Sequence, residues 1–235
     1  MKISNSEFTE LGSQLVLPLF EGSHKAPNNS LAGLSRSQRS HVREALASGD
    51  FDGKKGKRLT LWTPGCNIIL VGMGDKESLG HKRARNTGAR LIAAMSKKKG
   101  VDVTVRFTSG WSTKRMIDFA EGMMLRDYEF LEHQEPPEGH IIEAWKVDFQ
   151  ASSRHQDSIS AGLSKAHSVA GGVHIARDLG NEPANVLYPM EYARRAEEWA
   201  SGKDNVNLEV YDWEKLQELG MGGHINVGKG SDRKP

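Results

Sequence analysis

The chain has 235 residues, of which 37% are apolar and 26% are charged, and its formal net charge is +2 at pH 7. This length allows a sizeable core in one large domain, or in one domain and part of another, and the small net charge selects no class of partner. The single cysteine, Cys66, excludes a disulfide framework and is typical of a reducing compartment.

The N-terminal residues contain no apolar segment of the kind that begins a secretory signal. No apolar run reaches the ~18 residues that a membrane-spanning helix needs. We therefore expect a cytoplasmic protein with no membrane partner.

Strand and helix patterns alternate along the first 150 residues. A short apolar run at 15–20 predicts the first strand, and the segment 37–51 has helical spacing that ends at Gly49. Residues 68–71 form a continuous apolar run, which is typical of a strand buried on both faces. The other patterns predict strands at 57–65, 101–107 and 141–149, and helices at 81–100 and 112–130. This order favours an α/β layer structure with a mostly parallel or mixed sheet.

The polar stretch 151–160 is interpreted as a linker between two domains, 1–150 and 161–235. The second domain begins with a long helical pattern that carries small residues on one face. Its predicted helices are 159–179, 190–200 and 213–219, and its predicted strands are 208–211 and 224–227.

A basic segment is followed directly by an acidic one. Residues 82–115 contain ten Lys or Arg and one acid, Asp102, whereas 118–148 contain nine acids and two bases. The two segments can pair across the fold or between subunits, or the basic one can bind nucleic acid. Stacking aromatics in the basic segment are limited to Phe107 and Trp111, which weakens the nucleic-acid interpretation. Solvated helix faces are the simplest explanation.

The sequence RDLGNEPANVLYP at 177–189 separates two predicted helices. Gly180 is typical of a helix C-cap, Pro183 cannot continue a helix, and Pro189 fits the first turn of the next one. These residues predict a helix–loop–helix corner and by themselves give no reason for catalysis.

The same string closely resembles the signature of the leucine aminopeptidase (cytosol aminopeptidase) family. In that family, Ala-Arg-Asp-Leu-x-Asn-x-Pro-x-Asn is followed by a helix that starts with proline. The resemblance extends to LEVYDWEKLQELGMGGHINVGKGS at 208–231, IILVGMGDKE at 68–77 and FAEGMMLRDYEF at 119–130. One departure is Tyr188, because the family more often has a threonine at this N-cap position. A tyrosine side chain cannot cap the following amides as threonine does.

This resemblance implies an N-terminal macro-like α/β domain, in which helices flank a mixed sheet. The first helices and strands of an α/β catalytic domain follow it. The resemblance also implies hydrolysis of the N-terminal residue of a peptide by two divalent metals, zinc or manganese, in a carboxylate-rich site with a lysine. Members of the family are typically homohexamers.

The catalytic motifs of the family are not found in the sequence. The family takes its metal ligands from a Lys-Gly-x-x-Phe-Asp-Ser-Gly-Gly stretch and a later Asn-Thr-Asp-Ala-Glu-Gly-Arg stretch, and neither occurs in the 235 residues. We therefore assign no catalytic, metal-binding or cofactor-binding residue, and expect this chain to bind no metal, to stop before the active site and to be inactive alone. The alternative is a non-catalytic binding or assembly module that takes a nucleotide or nucleic acid through 82–115.

Two strings are similar to parts of the missing motifs. VGKG at 227–230 places Lys229 as the first motif would, but SDRKP follows instead of Phe-Asp-Ser-Gly-Gly. NTGAR at 86–90 lacks both acids of the second motif and lies in the wrong domain. We interpret neither as a metal site, and we interpret Cys66 as a structural thiol.

Two further patterns have both a functional and a structural explanation. His167, His174 and Asp178 share a helix face and can in principle hold a metal, but no cysteine and no His-Glu-x-x-His pattern supports this, so a polar helix face is the simpler explanation. Gly72 and Gly74 follow a buried strand as in a weak phosphate loop. The third glycine of a dinucleotide-binding pattern is absent, so a tight turn is the simpler explanation.

Overall fold

The computed structural model describes residues 1–8, 10–23, 26, 28–95, 102–108, 110–135 and 145–233. The chain divides into two compact units, Met1–His174 and Ile175–Pro235. The described part of each unit is treated by itself below.

Six strands of the first unit form one mixed sheet in the order β1-β6-β5-β2-β4-β3. They are β1 (Lys2–Ser6), β2 (Gln14–Leu19), β3 (Arg58–Leu61), β4 (Asn67–Gly72), β5 (Asp102–Arg106) and β6 (Lys146–Gln150). β3 pairs antiparallel with β4, and the other neighbouring strands of this sheet are parallel. This mixed sheet with flanking helices confirms the predicted α/β class.

The described helices are α1 (Arg36–Ala47), α2 (His81–Met95), α3 (Thr113–Arg126), α4 (Gln156–Asn181), α5 (Pro189–Ala200), α6 (Trp213–Glu218) and α7 (Gly222–Gly228). Ser35 and Gln38 form a reciprocal capping box at the start of α1, which satisfies amides that a helix terminus leaves unpaired. Among the residues described, none of these helices is both long and apolar enough to cross a lipid bilayer.

Both faces of the central strands are buried. Leu15 and Leu17 of β2 pack with Leu70 of β4 against α1, whereas Val16 and Ile69 face the opposite side, which α2, α3 and the start of α4 cover. A strand buried on two faces reads as a continuous apolar run rather than an alternating one. The prediction for 68–71 is therefore confirmed.

Helices α2 and α3 pack closely through two glycines. A Cβ on Gly122 would lie 1.9 Å from the carbonyl oxygen of Arg85, and one on Gly88 would lie 2.1 Å from that of Phe119. No side chain fits at these distances. The glycines therefore allow the two helix backbones to touch above the sheet.

Two predicted strands are wrong. Residues 224–227 lie inside α7, and 208–211 form no ladder with any described strand. Four alternating residues are too few to distinguish a strand from a helix. Leu208 and Val210 remain 40% and 44% exposed, so they join no buried sheet in the described chain.

The edge strand β1 was not predicted from the sequence. Its residues KISNS are mostly polar and only Ile3 is buried, so no apolar pattern marks it. Side chains of α4 cover its outer edge: the Ile3 amide donates to His167 Nε2 at 3.4 Å, and Gln156 Nε2 donates to the Ser6 carbonyl oxygen at 2.6 Å.

Parts of three predicted elements fall outside the described residues. These are the end of the helix 81–100 beyond Met95, the first residue of the strand 101–107 and the start of the strand 141–149. The described part of 141–149 begins at Trp145, and its strand begins at Lys146. Residues 156–160 of the predicted linker lie in the first turn of α4, where Ile159 is fully buried.

Candidate functional site

The loop at 177–189 is a closed corner between α4 and α5. The amides of Val186 and Leu187 both donate to the Pro183 carbonyl oxygen at 2.9 Å, and α5 starts at Pro189 as predicted. The prediction of Gly180 as a C-cap is wrong. Helix α4 continues through Asn181, and Gly180 does not have the positive φ of a left-handed cap.

Tyr188 takes the N-cap position of α5 without capping it. Its side chain makes no hydrogen bond to the first-turn amides, as the sequence predicted. Its ring lies instead beneath the Arg233 guanidinium, 4.5 Å from ring centroid to guanidinium carbon. Arg233 also donates to the Asn185 carbonyl oxygen at 3.2 Å, so this arginine holds the corner in place of a cap.

The carboxylate of Glu182, within this corner, is bound by an arginine. Arg195 Nη1 lies 3.0 Å from Glu182 Oε1, and Arg195 Nε lies 2.8 Å from Glu191 Oε1. Arg194 donates to both oxygens of Glu191 at 2.7 Å. Hydrogen bonds from Arg194 and then Arg195 hold the pKa of Glu191 at about 2, below its usual 4.5. These groups tie the loop to α5, and Glu182 is not poised as a general base.

The histidines considered as metal ligands bind backbone groups instead. His167 Nδ1 lies 2.8 Å from the Leu163 carbonyl oxygen, while its Nε2 accepts from Ile3. His174 Nε2 lies 3.2 Å from the Met124 carbonyl oxygen. Both ring nitrogens of His167 are therefore engaged, which disfavours the metal interpretation of this helix face.

The turn after β4 does not offer amides to a phosphate. The amides of Gly72, Met73 and Gly74 donate within 2.8–2.9 Å to the carbonyl oxygens of Lys57, Leu19 and Gly53. A Cβ on Gly72 would also lie 2.0 Å from the Lys54 carbonyl oxygen. The glycines thus serve close packing of two loops, and the tight-turn interpretation accounts for them.

The two motif-like strings have structural roles. Lys229 caps the end of α7, and its Nζ lies 2.9 Å from Asn226 Oδ1. The string at 86–90 lies on α2, where Gly88 makes the contact with α3. Cys66 is buried, and desolvation raises the pKa of its thiol, which suits a structural role.

The basic and acidic segments pair within the first unit. Arg85 Nη1 lies 2.8 Å from Glu121 Oε1, and Arg115 binds Asp118. His81 Nδ1 lies 2.7 Å from the other oxygen of Asp118. The contacts of Arg85 and His81 join α2 to α3, whereas Arg115 and Asp118 lie one turn apart on α3. Pairing across the fold, which the sequence left open, therefore accounts for part of the charge asymmetry.

A metal centre does not fit the described residues. Across the described part of the chain, no three His, Cys, Asp or Glu side chains come together to hold an ion. The described residues therefore offer no ligand set for the two-metal chemistry that the resemblance implies.

A crevice that the sequence reasoning missed lies at the carboxyl ends of the parallel strands. The residues that follow β1, β2, β5 and β6 enclose about 260 Å³. Ligands of open α/β sheets bind outside the carboxyl ends of strands. The one cue to this crevice in the sequence was that Trp111 and Arg154 come shortly after predicted strands. No motif marks either residue.

Family models match both parts of the chain. The model described as the cytosol aminopeptidase family, N-terminal domain, matches residues 16–137. The model of the catalytic domain of the same family matches residues 174–235.

Several curated proteins are similar to this chain. A probable cytosol aminopeptidase of Methylorubrum populi is 32% identical over 208 residues, which are 83% of this chain and 39% of that protein. A probable cytosol aminopeptidase of Pseudomonas aeruginosa is 28% identical over 207 residues, which are 83% of this chain and 41% of that protein. One of Aquifex aeolicus is 28% identical over 229 residues, or 95% and 44%. The chain spans less than half the length of these relatives.

Solved structures share the fold. A mutant of tomato leucine aminopeptidase superposes with a TM-score of 0.78 at 24% identity, covering 100% of this chain and 49% of that one. The bottromycin maturation enzyme BotP in complex with Mn gives a TM-score of 0.66 at 22% identity, covering 94% and 43%. At these identities the similarity is one of fold.

Proposed function

Because this chain belongs to the cytosol aminopeptidase family, we propose that it forms part of a hydrolase that removes N-terminal residues from peptides, as a leucyl aminopeptidase does. In this proposal residues 1–150 are the N-terminal macro-like domain, 151–160 connect the domains, and 161–235 begin the catalytic domain. The observation that carries it is that two family models match in order along one chain.

The 235 residues alone do not hydrolyse peptides in this proposal. Neither metal-binding motif is present in them, and Glu182 of the family signature is held by Arg195. Large apolar side chains of α5 support the idea that further sequence completes the catalytic domain, because Met190, Tyr192 and Trp199 are each about half exposed. Relatives contain a remaining half or more that can supply such a cover.

The direct test is hydrolysis of leucine p-nitroanilide by the pure 235-residue protein with manganese added. We expect a rate equal to that of a buffer blank. A clear rate that survives repeated purification and disappears with a chelator would contradict the proposed inactivity. The positive control is a chimaera in which residues 1–235 replace the matching part of the Methylorubrum populi relative, and we expect that chimaera to hydrolyse the substrate.

For the complete protein we further propose two divalent metals, zinc or manganese, a homohexamer and a cytoplasmic location. The family assignment supports these properties, and the manganese complex of BotP supports the choice of metal. Metal analysis and sedimentation of the chimaera test them. We propose no second function for 82–115, because Arg85 and Arg115 bind acids within the fold.

A further inference from the structure

The crevice lies where the sheet changes its winding direction. From β2 the chain runs to β3 and β4 on one side, by way of α1, which packs on one face. From β5 it runs to β6 on the other side, by way of α3, which packs on the opposite face. Because the two connections diverge, the loops after β2 and β5 separate and leave space at the carboxyl ends of these strands.

Aromatic side chains form one wall of this space. Phe107 and Trp111 are nearly buried and lie 4.8 Å apart between ring centroids, in an edge-to-face arrangement. Phe8, which follows β1, stands under the Arg106 guanidinium at 5.4 Å and also lines the space. Rigid aromatic surfaces favour a planar apolar group in the ligand.

Other residues of the lining carry hydrogen-bond donors. Ser152 occupies an N-cap position, yet its hydroxyl makes no capping hydrogen bond, and Thr108 contributes a second hydroxyl to the lining. Arg154 also lines the space and is exposed. Its Nε donates to His155 Nε2 at 3.1 Å, and His155 Nδ1 in turn lies 2.8 Å from Thr113 Oγ1. This chain of contacts orients the guanidinium.

The charge of the lining is positive. Arg154 contributes a permanent cation, and no aspartate or glutamate is among the described residues that line the crevice. A guanidinium binds carboxylate or phosphate through paired donors. An ammonium group would find no acid among the described residues of this lining, which disfavours ligands that carry such a group.

We propose that this crevice binds a small organic anion with one planar ring. The ring packs on Phe8 and Trp111, and the anionic group lies between Arg154 and the Ser152 hydroxyl. The volume of about 260 Å³ is below the range of about 300–1,000 Å³ of most ligand pockets, so one ring fits and a dinucleotide does not. This site lies within Met1–His174 and does not depend on the proposed peptidase activity.

The test is a ligand titration of the full chain by saturation-transfer NMR, with benzoate and phenyl phosphate as probes and benzyl alcohol as the uncharged control. We expect one or both anions to bind and the alcohol to bind at least about tenfold more weakly, because it loses the charge-assisted hydrogen bonds. A preference for one anion identifies the group as carboxylate or phosphate.

Variants locate the binding. Arg154→Ala is expected to lower the affinity for the anion at least about tenfold. Arg36 is an exposed arginine on α1, and Arg36→Ala is expected to leave the affinity unchanged. Phe8→Ala tests the ring contact in the same way. The proposal would be overturned if neither anion saturated the protein at about 10 mM. Such a result means a binding free energy weaker than about 3 kcal/mol. Equal affinity in the wild type and in Arg154→Ala would also overturn it.

Discussion

The two units of the chain differ in how they hold their helices. Met1–His174 buries two apolar clusters, one on each face of its sheet. In the described part of Ile175–Pro235, Leu216 is the one buried large apolar side chain, while Tyr192 and Trp199 stay 53% and 49% exposed. Helices gain most of their stability from packing of an apolar face. The first unit therefore has its own core, whereas large apolar side chains on the helices of the second unit remain exposed.

The largest expected effect is on amide hydrogen exchange. Amides of β2 and β4 are expected to exchange at least about 100-fold more slowly than those of α5 and α6, since core strands open only with the whole unit. Mass spectrometry of peptides from each element measures this difference. Equal protection on the two sides of His174 would contradict the comparison.

Core truncations sharpen the same contrast. Leu70→Ala is expected to cost about 2–5 kcal/mol of unfolding free energy, because Leu70 is fully buried in the first unit. Leu216→Ala is expected to change the unfolding free energy of the first unit by less than about 0.5 kcal/mol, since Leu216 lies in the other unit. Urea denaturation followed by circular dichroism compares the two variants. Similar losses would mean that the chain unfolds as one cooperative unit.

Glycine substitutions test the packing within the first unit. Gly122→Ala is expected to cost about 1–3 kcal/mol, because its Cβ would overlap the Arg85 carbonyl oxygen and push α2 from α3. Gly171→Ala on α4 is the matched control. No atom lies within 4 Å of its Cβ position, and alanine favours a helix by up to about 1 kcal/mol. A lower melting temperature for Gly171→Ala than for Gly122→Ala would contradict the proposed role of the Gly122 contact.

The smallest expected effect concerns acid pH in the second unit. The pKa of Glu191 is lowered to about 2 from 4.5 in the folded chain. Its ion pairs therefore stabilise the corner above about pH 4.5 and are lost as pH falls toward 2. Because Arg194 is about half exposed and Glu191 is only partly buried, salt should weaken the effect. NMR titration of the Glu191 carboxyl measures its pKa. We expect α5 to lose helicity as the pH falls, and Glu191→Gln should abolish this dependence on pH. An unshifted carboxyl would remove the ion-pair account.

The sequence predicted those elements whose burial leaves a long pattern. The run at 68–71 and the helix α5 were predicted closely, because a doubly buried strand and a proline-started helix leave strong signals. The strand β1 left none, since its edge is completed by side chains of α4 that lie far along the chain. The strand predicted at 224–227 failed because four alternating residues fit a helix equally well.

The candidate sites were harder to predict than the fold. The family signature at 177–189 was visible in the sequence, but the pairing of Glu182 with Arg195 depends on how α4 and α5 meet. The crevice had no motif, because its walls come from loops that follow four different strands. Only the sheet order brings Phe8, Trp111 and Arg154 to one place, and periodicity carries no information about sheet order.

The central proposal is that these 235 residues supply scaffold to a peptidase and do not themselves assemble its hydrolytic centre. The most direct measurement is calorimetric titration of the metal-free chain with manganese and with zinc near neutral pH. We predict no stoichiometric tight binding of either ion. Tight capture of two ions per chain at a cluster of its own acids, accompanied by peptide hydrolysis, would contradict the account.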